Sequence, residues 1–133
     1  MHNVTITPET LFQALSDSTR LRIIRLLVTT DEEICLCELV DALLEPQYNL
    51  SRHLKILRQA GLLTSWKEGR WVYHRLTENP DYLQQLYTLV RSLPDTDDVY
   101  RTDLGNFTRR MALRENGRCR VGMLSDNLKT GAE

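Results

Sequence analysis

Apolar residues recur at helical spacing along most of the chain and alternate at strand spacing in one place only. "TPETLFQALSD" opens with Thr7 as a helix cap and Pro8 in the first turn, then sets Leu11, Phe12 and Leu15 on one face. In "DSTRLRIIRLLVT", Ser18 is the expected cap, and Leu21, Ile24, Leu27 and Val28 keep the helical period while Arg20, Arg22 and Arg25 point away. The polar "TTDEE" interrupts the pattern, "CLCELVDALL" resumes it through Leu36, Leu39, Val40 and Leu43, and Glu45-Pro46 stops it. "QYNLSRHLKILRQAGLL" confines Leu50, Leu54 and Leu57 to a narrow arc opposite Tyr48, Arg52, Lys55 and Gln59, with Gly61 at its end. "LTSWKEGRWVYHRLT" alternates instead, which predicts a hairpin turning at Glu68-Gly69. After Asn79-Pro80, "DYLQQLYTLVRSL" predicts a further helix through Leu83, Leu86, Leu89 and Val90. From Pro94 onward only "FTRRMALRE" shows a short helical pattern, so residues 94–133 are expected to form a loosely ordered tail behind a domain spanning 1–93.

Helix, helix, short helix, turn, longer basic helix, hairpin, helix is the order of a winged helix-turn-helix: mainly α with a β-hairpin wing. In that arrangement the short helix and turn prop the next helix so that its polar face enters a major groove, while the hairpin tip reaches a neighbouring groove or phosphate. Net charge alone, −1, does not announce a nucleic-acid partner. Its distribution does more: between 52 and 75, Arg52, Lys55, Arg58, Lys67, Arg70 and Arg75 oppose Glu68 alone, six minus one, or +5. Gln47, Tyr48, Ser51, Arg52, His53 and Lys55 on the helix and Arg70 at the tip are the candidate DNA contacts. His53, beside the apolar arc, is open to packing as well as to phosphate contact.

At 133 residues, 41% hydrophobic and 26% charged, the chain has the composition of one globular domain. No apolar run approaches the roughly 20 residues needed to span a bilayer, and no export signal opens the sequence, so a cytoplasmic protein without membrane contact is expected. Three cysteines in a reducing compartment argue against a disulfide framework. Neither a nucleophile–base–oxyanion constellation nor a Cys-x-x-Cys in a βαβ setting is present, so no enzyme is expected. A metal buffer without DNA binding would leave the basic 52–75 segment unexplained.

"LSDSTRLRIIRLL" (15–27), "EICLCELVDAL" (33–43), "LSRHLKILRQAGLL" (50–63) and "EGRWVYHRL" (68–76), in that order, resemble the ArsR/SmtB family of metal-responsive repressors over roughly residues 7–92. The resemblance implies a homodimeric winged helix that binds double-stranded operator DNA until a metal binds. Its first and last helices, here 8–16 and 80–93, would form the dimer interface, with Leu11, Phe12, Leu15, Leu83 and Leu86 in it. It also implies Cys35 and Cys37 as ligands of a soft metal or metalloid, with no permanent cofactor. Arsenic sensors of the best-known type carry another cysteine where this chain has Val40. Cadmium and lead sensors recruit cysteines from an N-terminal arm, which here offers only His2, and residues 81–92 lack the histidines of the family's zinc site.

Physical chemistry limits how two such thiols act. Residues two apart on a regular helix project about 200° from each other, so both face one ion only if the first turn unwinds or the pair lies just outside it. Thiolates select soft ions; three in a pyramid suit trivalent arsenic or antimony, whereas zinc prefers four ligands. Cys119, between Arg118 and Arg120, is the candidate third ligand, with an uncommitted exposed thiol as the equal alternative. The expected function is repression relieved by arsenite or antimonite. A thiol redox-sensing repressor and a cadmium or lead sensor are the alternatives.

Overall fold

A computed structural model describes residues 7–125 of the chain. The elements run α1 (Pro8–Leu15), α2 (Ser18–Thr30), β1 (Ile34–Cys35), α3 (Leu36–Leu43), α4 (Gln47–Gln59), β2 (Leu63–Glu68), β3 (Trp71–Leu76), α5 (Tyr82–Ser92) and α6 (Val99–Met111). Thr7 caps α1 as expected, its hydroxyl accepting from the Thr10 N–H. The cap of α2 is Asp17 rather than Ser18: its carboxylate accepts the Arg20 N–H at 3.0 Å. The arc of Leu50, Leu54 and Leu57 on α4 is buried against the leucines and isoleucines of α2 and α3, which fixes the rotation of α4 and leaves its polar face outward. Truncating Leu54 to Ala would cost about 2–5 kcal/mol.

The sheet has three antiparallel strands in the order β1-β3-β2. β2 and β3 are the expected hairpin, but the turn is Gly69-Arg70, since Glu68 pairs with Trp71. Gly69 takes φ 62°, the positive value that a two-residue II′ loop needs at its first central position. β1 is unexpected. Two residues are too short to show a period, yet Ile34 pairs with His74 and Cys35 with Tyr73, joining the segment before α3 to the wing.

Beyond Pro94 the chain departs most from expectation. The loose tail is instead, through Ser125, a thirteen-residue helix and a return segment packed on the domain. Asp95 accepts the N–H groups of Tyr100 and Arg101 and so caps the start of α6. The helix buries Asp103, Phe107 and Arg110, one face at helical spacing. Two of those three are charged, so no apolar stripe marks the face. Each charge has its partner: Arg22 of α2 meets Asp103 through Nε and Nη2 at 2.9 and 2.8 Å, and Arg110 donates Nε–H to Asp41 of α3 at 2.6 Å. Residues 1–6, with His2, and 126–133 lie outside the described residues.

Candidate metal centre and nucleic-acid interface

Cys35 ends β1 and stands at the cap position of α3 with extended backbone, φ −82° and ψ 155°, while Cys37 lies in the first turn. The pair therefore straddles the helix start, which is the second of the two geometries open to it, and both sulfurs turn to one side without unwinding anything. Beyond α6 the chain doubles back as a strap, residues 118–125, that delivers Cys119 to the same place. The three Sγ atoms lie within 4.8 Å of one another, and Cys37 and Cys119 are 3.4 Å apart. With metal–thiolate bonds near 2.3 Å, sulfurs at tetrahedral angles stand roughly 3.8 Å apart, so small side-chain movements close the cluster on one ion. All three cysteines are buried, Cys119 completely. The exposed-thiol alternative for Cys119 is thereby removed.

The thiols sit in a charged but paired shell. Glu38, fully buried, accepts the Cys35 N–H at 3.0 Å and receives Arg114 through Nε and Nη2, each at 2.7 Å. Asp41 accepts Arg110 on one side and the N–H groups of Leu124 and Ser125 on the other, latching the strap to α3. Burial alone would raise the Asp41 carboxyl; the hydrogen bonds from Ser125, Arg110 and Leu124 outweigh it and hold it below the ordinary range. Arg110 also grips the strap carbonyls of Val121 and Gly122.

Cys37 is held at about 7, chiefly by the hydrogen bond from the Cys35 thiol, with Cys119 and the Arg110 charge adding. Cys35, as the donor to Cys37 and by burial, is pushed well above the ordinary thiol value. Burial takes Cys119 up to about 11, so the flanking arginines do not make it a thiolate. They face elsewhere: Arg118 bridges Glu33 and Glu68 at 2.5 and 2.6 Å and lies 4.1 Å over the Tyr73 ring, and Arg120 bonds the Cys119 carbonyl. Cys37, the most readily ionised of the three, makes the cluster a nucleophilic, soft-donor centre able to exchange its protons for an ion.

The outer face of α4 presents Gln47, Tyr48, Ser51, Arg52 and Lys55 to solvent, with Tyr48 74% exposed. Arg52 lies 5.6 Å over the Tyr48 ring and donates to Asn49 Oδ1, and Arg70 lies over Trp71 at the hairpin tip. His53 does not belong with them. It is buried, with Nδ1 3.1 Å from Arg20 Nη1 and 3.9 Å from Asp17, because its place beside the leucine arc turns the ring inward. His74 is likewise buried, 3.0 Å from Arg58.

The proposed interface leucines divide. All of Leu11, Leu15, Leu83 and Leu86 are buried within the chain, and Leu15 and Leu83 do not line an apolar surface groove. Leu11 and Leu86 instead floor an apolar groove whose rim carries Phe12 and Leu89, 59% and 54% exposed, with Tyr82 beside them.

Residues 17–65, from the cap of α2 through the start of β2, match the family model for bacterial regulatory proteins of the arsR family. The chain is 39% identical to the arsenic resistance transcriptional regulator ArsR1 of Pseudomonas putida over 71% of its own length and 72% of that protein's. The chain belongs to the ArsR family. It is also 46% identical to the arsenical resistance operon repressor of Escherichia coli, over 54% of this chain and 61% of that one. Among solved structures it resembles HlyU from Vibrio cholerae, with a TM-score of 0.56 and 30% identity over 62% of this chain and 85% of that one. ArsR-family proteins are DNA-binding transcriptional regulators and not enzymes. Among the described residues no helix is long and apolar enough to cross a membrane.

Glu38, Tyr73, Arg110 and Arg114, which frame the thiols, are not apparent from the sequence; Arg118 is, as a neighbour of Cys119, but its bridge to Glu33 and Glu68 is not. The Arg residues lie beyond the stretch that carries the resemblance, and only the fold reveals their counter-charges.

Proposed function

We propose that this ArsR-family repressor is a homodimer released from its operator by arsenite or antimonite bound at Cys35, Cys37 and Cys119. The observation that carries this reading is the convergence of three buried thiols, two at the start of α3 and one from the strap. Three sulfurs form a pyramid around a trivalent metalloid, and the Cys119 position answers for the cysteine missing at Val40. Arsenic-resistance names among the relatives point the same way.

The ion acts here as a crosslink. It would tie β1, α3 and the strap together at one point, and each continues into the DNA-facing parts: β1 pairs with β3 of the wing, α3 packs on α4, and Arg118 of the strap holds Glu68 at the wing's end. Gln47, Tyr48, Ser51, Arg52, Lys55 and Arg70 meet the duplex, and the groove of Phe12, Tyr82 and Leu89 meets the second copy. The deformation expected of a regular helix is not needed to form this site; the adjustment of the three sulfurs to the separation an ion requires is the movement to be transmitted.

The deciding experiment titrates the protein–operator complex with arsenite and antimonite under anaerobic, reducing conditions. Release that requires all three cysteines supports the reading, and indifference of the complex to both ions removes it. Thiol redox sensing draws on the same 3.4 Å separation of Cys37 and Cys119. It is distinguished by release with peroxide, reversed by dithiol, and no release by arsenite.

A further inference from the structure

We infer that the two buried ion pairs around the thiols, Asp41–Arg110 and Glu38–Arg114, determine specificity by keeping the shell electrically neutral, so that the site accepts a trivalent metalloid and resists a divalent ion. The inference rests on the three-thiol reading and adds what sulfur geometry cannot supply, since a soft divalent ion fits the same three donors.

The charge count runs through named groups. Glu38 is wholly buried and its partner Arg114 nearly so, and the side chains of Asp41 and Arg110 are 8% and 2% exposed. Two carboxylates and two guanidiniums cancel. The other charges around the shell, Arg118 with Glu33 and Glu68, Glu32 beside Arg114, and Arg120 on the Cys119 carbonyl, are partly or largely solvated and screened. Arsenite enters as the neutral acid As(OH)3. Three As–O bonds break and three As–S bonds form; each thiol proton leaves with a hydroxide as water, a Cys37 already ionised releases its hydroxide to solvent, and arsenic stays trivalent. The product is neutral in a neutral shell. A divalent ion bound by the same three sulfurs displaces the remaining thiol protons to solvent and leaves a complex of charge −1, buried among guanidiniums that are already paired. Uncompensated buried charge is among the most expensive features in a protein interior.

The two carboxylate–guanidinium pairs thus act on the ion through their field, without touching it. Changing one member changes the shell by one unit, and the sign depends on which member is changed. Asp41→Asn leaves the Arg110 charge uncompensated and offers a divalent complex the positive charge it lacks. The amide oxygen still accepts the N–H groups of Leu124 and Ser125, so the latch persists. Arg110→Gln has the opposite sign.

The test uses full-length protein, reduced and anaerobic, titrated separately with arsenite, cadmium and lead and followed by the ultraviolet sulfur-to-metal charge-transfer band. The quantity compared is the affinity ratio of divalent ion to arsenite. Asp41→Asn should raise that ratio on the order of tenfold to a hundredfold, and Arg110→Gln should lower it by a similar factor, as expected for one charge several ångströms away in a partly polarisable interior. Mere loosening of the site would weaken every ion in both variants, so opposite shifts are the signature of charge. Ratios unchanged, or shifted the same way in both variants, overturn the inference while leaving the three-thiol site intact. No charge-transfer band in the unmodified protein with any of the ions overturns the site and this inference together.

Discussion

The backbone N–H of Cys119 donates to the hydroxyl of Tyr73 at 2.9 Å, a hydrogen bond between the strap and the central strand of the wing. Both residues are completely buried. Tyr73→Phe would strand that N–H without a partner, which costs about 1–3 kcal/mol. Chemical denaturation should show a loss of that size, and operator release should need more arsenite because Cys119 is no longer held in place. Unchanged stability would mean that water reaches the strap.

Replacing any of the three thiols tests the centre directly. Cys35→Ser, Cys37→Ser and Cys119→Ser should each bind operator like the unmodified protein yet respond weakly or not at all to arsenite. For the unmodified protein, a coupling of about 1–3 kcal/mol corresponds to a roughly 5- to 150-fold fall in operator affinity. Fluorescence anisotropy of labelled operator reads both quantities, and a fully inducible Cys119→Ser would exclude the strap from the site.

The exposed face of α4 should carry the salt dependence of DNA binding. Arg52→Ala and Lys55→Ala should each weaken binding, and each lost phosphate contact should reduce the slope of log affinity against log salt by about 0.9. His53→Ala, removing a buried ring beside Arg20, should lower stability and leave that slope unchanged. A change of slope in His53→Ala would return that residue to the interface.

Assembly should depend on the groove rim. Phe12→Asp and Leu89→Asp place a charge on side chains more than half exposed in the protomer, so folding should survive while the dimer does not. Sedimentation at micromolar concentration should find monomers with weakened operator binding. Persistent dimers in both variants would assign the interface elsewhere.

Stability should fall with acid before the carboxylates titrate. Burial, with the Arg58 guanidinium adding, takes His74 from 6.5 down to about 4. Between those values the unfolded chain binds the proton and the folded one does not, so the stabilisation is complete above about 6.5 and is lost as pH falls toward 4. The full contribution is about 3 kcal/mol, at 1.36 kcal/mol per unit. His53, lowered chiefly by burial, acts in the same direction. Denaturation midpoints of His74→Phe should be flatter through this window; an equal acid slope would assign the effect to other groups.

The parts of the fold that periodicity announced are those whose buried faces are apolar. α2, α4 and α5 bury leucine, isoleucine and valine, and their arcs are visible in the letters alone. α6 was legible only at its end, because Asp103 and Arg110 look solvated until Arg22 and Asp41 arrive from 81 and 69 positions away. β1 consists of two residues and is defined by its pairing with β3. Cys35 and Cys37 stood out by spacing, but whether they converge depended on where the helix begins. The pairing of Cys35 with Tyr73 fixes that, which is a relationship across 38 positions.

The strap also has a consequence in time. Its latch, Asp41 on the Leu124 and Ser125 amides with Arg110 on the Val121 and Gly122 carbonyls, holds Cys119 fully inside. If the three thiols hold a metalloid as proposed, undoing that latch is a step on the way in and on the way out. Capture would then stop rising at high metalloid concentration and settle at the rate of unlatching. Escape would be slower still, because the sulfur bonds must break while the latch is open. Such a protein would keep a record of exposure after the surrounding solution has cleared.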